Sequence, residues 1–344
     1  MNNESSATIK DVAALARVSI ATVSRVLNDH PSVRAKTRKA VLEAVEQLRY
    51  NPNAIARSLK VRHTKTIGII APELSNMFFM EVIESLERLL TPKGYSMLIS
   101  SSNASVEEER RVLQDFTERH VDGLVVFPAG NQGEHFLEST AASTPMIMVD
   151  RKVEGIQVDR VITDNRYGVH KMIEALHNEG FTRIGFIGGD PSFYTAKERL
   201  DGYYEAMKRL NLPIDPRFVL HHGVMTQKDG FSLFKKALEE RDHPYAFFIA
   251  NEALHLGATT YALSELDEKI ANQFVFASFD YLTYSPLLKL CRYAVAQPLE
   301  RMGSEVATLL LKRLSGDKEN YPEHIVLKPE IKIITAHGGK PLPT

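Results

Sequence analysis

The sequence predicts an α-helical helix-turn-helix headpiece followed by an α/β body of two parallel-sheet subdomains. Three observations carry that prediction. Residues 8–28 read as two short helices joined by a tight turn, the second opening on small and hydroxyl side chains. From Thr66 onward apolar runs alternate with helical patterns, as parallel sheets with right-handed crossovers require. The charge is also divided. Residues 1–62 hold eleven Lys and Arg against five Asp and Glu, while the whole chain has a formal net charge of −1. A basic module on an acidic body points to one polyanion-binding end.

At 344 residues the chain exceeds one ordinary core and suits two or three domains. Its composition, 44% hydrophobic and 25% charged, is that of a soluble globular protein. No apolar run approaches the ~20 residues of a membrane span, and residues 1–6 lack the basic and apolar stretches of a secretory signal. A cytoplasmic location and no membrane partner are therefore expected. The single cysteine, Cys291, cannot form an internal disulfide and reads as a small buried apolar residue. His and Cys show no metal-ligand spacing, so neither metal nor cofactor is expected.

In the headpiece, Thr8 is a good N-cap, with Asp11 three residues on in a capping-box arrangement. Ile9, Val12, Ala13 and Ala16 recur at helical spacing as an apolar face. Ser19 can cap the second helix, and Val23 and Val26 turn to the small core. That leaves Ile20, Ala21, Thr22, Ser24 and Arg25 outward or at the helix start. Hydroxyls and helix-end amides suit phosphates. Ile20 and Ala21 can touch thymine methyls, and Arg25 can reach guanine or phosphate. A third helix is expected over 35–48, with Leu42, Val45 and Leu48 inward and Lys36, Arg38 and Lys39 at its basic start.

The segment 49–60 follows. Pro52 stops the preceding helix and Asn53 can cap a new one. So short a helix is marginal in water and would form only when packed. Ala56 and Leu59 share a face flanked by Arg57 and Lys60, an apolar wedge between cations of the kind that kinks a minor groove.

In the body, strands are expected at 67–71, 96–100, 123–127, 146–149, 160–163, 184–187, 246–250, 274–279 and 293–296. Helices are expected at 79–90, 107–119, 167–178, 196–210, 227–240 and 299–314. The run Gly123-Leu124-Val125-Val126-Phe127 is apolar throughout, as a strand covered on both faces must be. Two similar halves meet near 161–164. Ligands of open α/β sheets bind beyond the carboxyl ends of strands. Reading past those ends collects Asn76, Phe78, Phe79, Asp150, Arg151, Arg199, Asn251, Asp280 and Gln297. Aromatics offer apolar faces to a sugar ring, and the others offer directional hydrogen bonds to vicinal hydroxyls.

These residues resemble the lactose/galactose-repressor (LacI/GalR) family of bacterial transcription regulators. In the headpiece the resemblance lies in 9–16, Val18-Ser19, Thr22-Val23-Ser24-Arg25-Val26-Leu27-Asn28, and Tyr50-Asn51-Pro52-Asn53 with Ala56 and Leu59. It implies a homodimer with one recognition helix per half-site, Asn28 among its DNA-binding residues, and a hinge helix that folds on operator DNA with Leu59 intercalated at the centre. Ile20 and Ala21 occupy the two positions with which the family largely chooses sequence. Over about 64–340 the body is similar to the family's regulatory domain, which is periplasmic-binding-protein-like. The matching stretches include Asn76-Met77-Phe78-Phe79, Val149-Asp150-Arg151, Glu198-Arg199, Asn251-Glu252, Phe279-Asp280 and Ala296-Gln297-Pro298. The implied organisation is a headpiece over 1–50, a hinge and linker over 51–63, and a sugar-binding, dimerising domain over 64–340 with crossovers near 162, 292 and 326. The pocket positions match pentose-binding members. Glu252 departs from the usual aspartate, and Ala253-Leu254-His255 is unusual. Arg151 and Arg199 together suggest a carboxylate clamp, so a sugar acid such as 2-keto-3-deoxygluconate stands beside a pentose as the expected effector.

The function expected is therefore a sequence-specific regulator, a repressor of carbohydrate metabolism, whose affinity for double-stranded operator DNA answers to a small sugar or sugar acid. A homodimer is expected, with a tetramer left open. The alternatives are a sugar-binding receptor and a sugar-acting enzyme. The enzyme lacks support from G-x-S-x-G, P-loop or dinucleotide motifs, and the receptor does not need the headpiece.

Overall fold

The structure is a computed structural model that describes residues 7–27, 30–50, 63–138, 144–282, 285 and 290–334. It divides into two compact units, Met1–Thr64 and Lys65–Thr344. Asn28, Asn53, Ala56, Leu59 and Lys60 lie outside the described residues. No described helix is long and apolar enough to cross a membrane.

The first unit contains α1 (Ile9–Leu15), α2 (Ile20–Leu27) and α3 (Ala35–Gln47). Its core is Val12, Ala13, Val23, Val26, Val41 and Ala44. The apolar side of α3 is rotated from the reading above: Val41 and Ala44 are buried and Leu42 is 50% exposed. The angular spacing of 41, 44, 45 and 48 makes one stripe, and Leu42 falls outside it. Asp11 Oδ2 accepts from Thr8 N at 2.8 Å and from Thr8 Oγ1 at 2.7 Å, which closes the start of α1. The turn into α2 passes through Arg17 at φ 53°.

In the second unit, one half holds β1 (Thr66–Ala71), α4 (Met77–Leu90), β2 (Ser96–Ser101), α5 (Val106–Glu118), β3 (Gly123–Val126), α6 (Glu134–Glu138), β4 (Met146–Val149) and β5 (Asp159–Thr163). The other half holds α7 (Asn165–Asn178), β6 (Ile184–Gly188), α8 (Tyr194–Arg209), β7 (Val219–His221), α9 (Gln227–Glu239), β8 (Ala246–Ile249), α10 (Glu252–Glu265), α11 (Glu268–Ala271), β9 (Val275–Phe279) and β10 (Cys291–Ala296). The chain then returns through α12 (Leu299–Leu314) and β11 (His324–Leu327) to the first sheet, and the last described strand, β12 (Glu330–Ile333), lies on the second. The strand orders are β11-β5-β4-β3-β1-β2 and β12-β10-β9-β8-β6-β7. Pairing is parallel except between β10 and β12.

The chain therefore passes between sheets after Thr163, between Ala296 and Leu299, and between Leu327 and Glu330. The second passage lies beyond the position near 292 read from the sequence because β10 continues through Ala296. Strand β7 and the edge strands β11 and β12 were not expected. Their exposed positions break any apolar run, as in Glu330-Ile331-Lys332-Ile333, where every residue keeps some solvent contact. Helix α10 was missed for a different reason. Its buried residues include Leu254, His255, Gly257, Ala258, Thr259 and Ala262, small and polar positions that make no clean 3.6-residue stripe. It packs on α9 at backbone distance. A Cβ on Gly257 would sit 1.9 Å from the Gln227 carbonyl oxygen, and one on Gly230 would sit 2.0 Å from that of Leu254.

Candidate functional site

On α2 the side chains expected at DNA are placed outward. Ser19, Ile20, Ala21 and Arg25 are exposed, Thr22 and Ser24 are half-buried, and Val23 and Val26 are buried. Ser19 Oγ accepts the Thr22 amide at 3.1 Å and shares a hydrogen bond with Thr22 Oγ1 at 2.8 Å. The hydroxyls thus define the helix start, while Ile20 and Arg25 project freely enough to meet a groove. Ile20 is 45% exposed, a large aliphatic side chain left in water on a helix whose other face supplies the core.

In the body, one cleft is lined by all nine residues read from the strand ends: Asn76, Phe78, Phe79, Asp150, Arg151, Arg199, Asn251, Asp280 and Gln297. They come from both sheets, at the carboxyl ends of β1, β4, β6, β8, β9 and β10 or the helices that follow. The cleft encloses about 80 Å³ of water-accessible space, room for roughly five to eight waters. Phe78 and Phe79 meet edge to face at 5.2 Å and give it one aromatic wall.

Asp150 and Asp280 each close a strand in left-handed backbone, at φ 71° and 78°. That conformation costs an L-residue roughly 1–2 kcal/mol, and Asp and Asn tolerate it best. The two carboxylates are matched by two guanidiniums. Arg199, 4% exposed, donates from Nε to Asn165 Oδ1 at 2.8 Å and from Nη1 to the Ala250 carbonyl at 2.5 Å. It lies 3.9 Å from Asp280 Oδ2 and 3.7 Å over the Phe279 ring. Gln297 Nε2 donates to Asp280 Oδ1 at 2.5 Å. Arg151 donates from Nη1 to the Pro128 carbonyl at 2.8 Å and keeps Nε 3.6 Å from Asp150 Oδ2.

Burial dominates the electrostatics. It pushes the Asp150 carboxyl above its usual range against the pull of Arg151 and Arg199, and the Asp280 charge adds to the rise. Burial also lowers Arg199, opposed by Asp280 and Asp150.

The polar groups are not equally available to a ligand. Asn76 and Asn251 are helix caps: Asn76 Oδ1 accepts the Phe78 amide at 3.0 Å, and Asn251 Oδ1 accepts the Leu254 amide at 2.8 Å. Asn251 Nδ2 also donates to the Met225 carbonyl at 3.1 Å. Arg199 spends Nε on Asn165 and one Nη1 hydrogen on Ala250, which fixes its plane at the cleft and leaves its other guanidinium hydrogens uncommitted to those two partners. His255 turns away from the cleft, 1% exposed and against Phe276, and burial brings its pKa down to about 4. Cys291 is buried, which pushes its thiol up to about 12.

Reading strand ends missed Phe193, Thr195, Val224 and Met225, which also line the cleft. Phe193 and Thr195 follow β6 and were within reach of the same rule. Val224 and Met225 follow β7, whose three residues were too few to register as a strand.

A three-helix unit with an exposed second helix, together with a two-sheet body that holds a polar cleft between its sheets, defines a ligand-responsive helix-turn-helix regulator. Comparison with known proteins bears this out. Residues 8–53 match bacterial regulatory proteins of the lacI family, and 173–335 match a periplasmic binding protein-like domain. The HTH-type transcriptional repressor PurR of Pasteurella multocida is 32% identical over 95% of this chain and 97% of its own. Among solved structures, the lac repressor dimer bound to operator and the anti-inducer ONPF has a TM-score of 0.82 at 23% identity, covering 96% of this chain and 99% of that one. A complex of the transcriptional regulator CelR with cellobiose has a TM-score of 0.70 at 26% identity, over 96% and 99%. This chain belongs to the lacI family of bacterial regulatory proteins.

Proposed function

We propose that the protein is a homodimeric repressor of carbohydrate metabolism genes, and that the cleft binds a small neutral sugar of pentose size. The observation carrying this reading is the balanced lining. Asp150 and Asp280 face Arg151 and Arg199 beside an aromatic wall, and the third carboxylate of the lining, Glu73, is exposed to solvent, so an uncharged polyol enters without leaving a buried charge unmatched. Each hydroxyl both donates and accepts. Asp150, Asp280 and Gln297 Oε1 supply acceptors, Arg151 and Arg199 supply donors, and Phe78 and Phe79 supply an apolar face. The space available suits a monosaccharide. The CelR complex holds a sugar in a relative of the same fold, and PurR is named a repressor.

A sugar acid is the second reading, and one observation favours it. Arg151 Nε is buried, makes no hydrogen bond and stands 3.6 Å from Asp150 Oδ2, a cation with donor capacity that an added carboxylate could take. Calorimetry with D-ribose, D-xylose and 2-keto-3-deoxygluconate separates the two. Binding of a pentose but not the acid supports the neutral sugar, and the opposite result replaces it. Recovery of unchanged ligand distinguishes a regulator from an enzyme.

Operator binding is assigned to Ile20, Ala21, Thr22, Ser24 and Arg25, with Thr8, Ser19 and Asn28 beside them, and to Asn53, Ala56, Leu59 and Lys60 of the sequence-assigned hinge. Sugar binding alters operator affinity by its differential affinity for the two states of the dimer, typically ~1–3 kcal/mol. Leu59→Ala weakens operator binding in an anisotropy titration and leaves the sugar isotherm unchanged. Equal operator affinity would remove the hinge assignment.

A further inference from the structure

Glu109 and His135 lie outside the ligand lining, yet they are deeply buried. Glu109 on α5 is 0% exposed and His135 on α6 is 3% exposed. A carboxylate removed from water is costly unless its oxygens are used. Here both are. Oε2 pairs with His135 Nε2 at 2.7 Å, and Oε1 accepts the Ala129 amide at 2.8 Å. With both oxygens engaged, the side chain is held in one geometry.

Ala129 belongs to the segment 128–131 that leaves the carboxyl end of β3, and this segment is attached elsewhere too; the Ala129 carbonyl, for one, accepts Arg151 Nη1 at 3.5 Å. The Pro128 carbonyl accepts Arg151 Nη1 at 2.8 Å. The Asn131 carbonyl accepts the Glu154 amide at 2.8 Å. The Asn131 side chain reaches the other subdomain, where its amide donates to the Ser192 carbonyl and its Oδ1 accepts the Tyr194 amide at 3.1 Å.

The last contact answers a defect in α8. The N-cap position of that helix is Phe193, which makes no side-chain cap hydrogen bond. The first amides of a helix have no partner within it, and a residue without a side-chain oxygen cannot take one. Asn131 supplies the missing acceptor from across the cleft, at the start of the helix that carries Thr195 and Arg199.

We propose that the buried Glu109–His135 pair is a positioning element for the cleft. Through residues 128–131 it sets Arg151 and holds Asn131 where it caps α8, latching the two subdomains together beside the ligand site. The proposal rests on the ligand reading only for the consequence at Arg151; the latch belongs to the ligand-free chain.

Amide hydrogen exchange on the full-length protein, without any sugar, tests it. The amide to watch is Tyr194. Asn131→Ala is expected to raise its exchange rate roughly five- to tenfold, the size of a typical lost cap. Glu109→Ala is expected to do the same from the far side of the segment, while Glu109→Gln, which keeps an acceptor for Ala129, restores protection. A purely structural role for Glu109 would speed exchange at Ala129 and leave Tyr194 at the parent rate, and that result overturns the positioning role. An unchanged Tyr194 rate in Asn131→Ala overturns the latch. His135→Ala repeats the comparison should Glu109→Ala not fold. Failure of every sugar to bind would remove the ligand reading and leave these outcomes intact.

Discussion

Replacing Arg199 by Met removes the most heavily engaged cation of the cleft while keeping an unbranched side chain of similar reach. Two hydrogen bonds disappear, at 2.8 Å to Asn165 and 2.5 Å to Ala250. Each bond from a charged donor is worth about 1.5–3 kcal/mol. Asp280 and Asp150 also lose a cation that opposes the cost of their burial. The thioether can still pack on Phe279, so part of the stacking energy is retained. Breaking a buried pair by removing one partner costs about 3–5 kcal/mol, the loss expected here. For a unit as long as Lys65–Thr344 the conversion is about 2 °C per kcal/mol, so Tm falls by roughly 6–10 °C. Thermal unfolding of the ligand-free protein measures it. Arg199→Lys keeps the charge but not the planar fork, and its Tm should lie between parent and Met. A Met variant within about 1 °C of parent would refute the claim that this network holds the cleft, whatever its effect on sugar binding.

Other perturbations follow from the same geometry. Because burial raises the Asp150 carboxyl in the folded protein, the folded state binds more protons than the unfolded chain between the two titrations. Stability from this group falls as pH rises through that interval. Asp150→Asn removes that slope and tolerates φ 71°, while losing affinity for sugar; Tm measured against pH in parent and variant should diverge upward from the ordinary carboxylate range, and parallel curves would count against it. Gly257→Ala places a Cβ 1.9 Å from the Gln227 carbonyl, forcing α9 and α10 apart at about 1–3 kcal/mol; urea midpoints at constant slope report the loss. On operator DNA, Arg25→Ala should either lower the salt slope by about one phosphate contact or cost about 1–3 kcal/mol at a single base position. Titrations at several salt concentrations on parent and base-substituted operators decide which, and no change in either would take Arg25 out of the interface.

The strand-end rule collected residues that line one cleft because parallel strands place their carboxyl ends on one side, so distance along the chain does not matter once direction is known. It could not rank what it collected. Asn76 and Asn251 look like ligand donors in the sequence, but each caps the helix it precedes. A residue just past a strand is also the residue just before a helix, so one position serves both needs. Arg151 and Arg199 look equivalent as cations. Burial and partners separate them: Arg199 is held by Asn165 and Ala250, whereas Arg151 Nε makes no hydrogen bond and pairs only at 3.6 Å with Asp150.

What the amino-acid sequence determined by itself was local and periodic. The headpiece pattern of capping Thr8 and Ser19 with inward Val12, Val23 and Val26 follows from helical spacing, and the apolar run at 123–127 announces a strand covered on both faces. Tertiary structure decided what depends on elements distant in the chain. It made α10 a helix by packing small residues against α9, assigned β11 and β12 to opposite sheets, and balanced Asp150 and Asp280 against Arg151 and Arg199. It also brought Asn131 to the uncapped start of α8. The physical reason is the same in each case: burial and hydrogen-bond satisfaction are properties of neighbours in space, and a one-dimensional pattern records only neighbours along the chain.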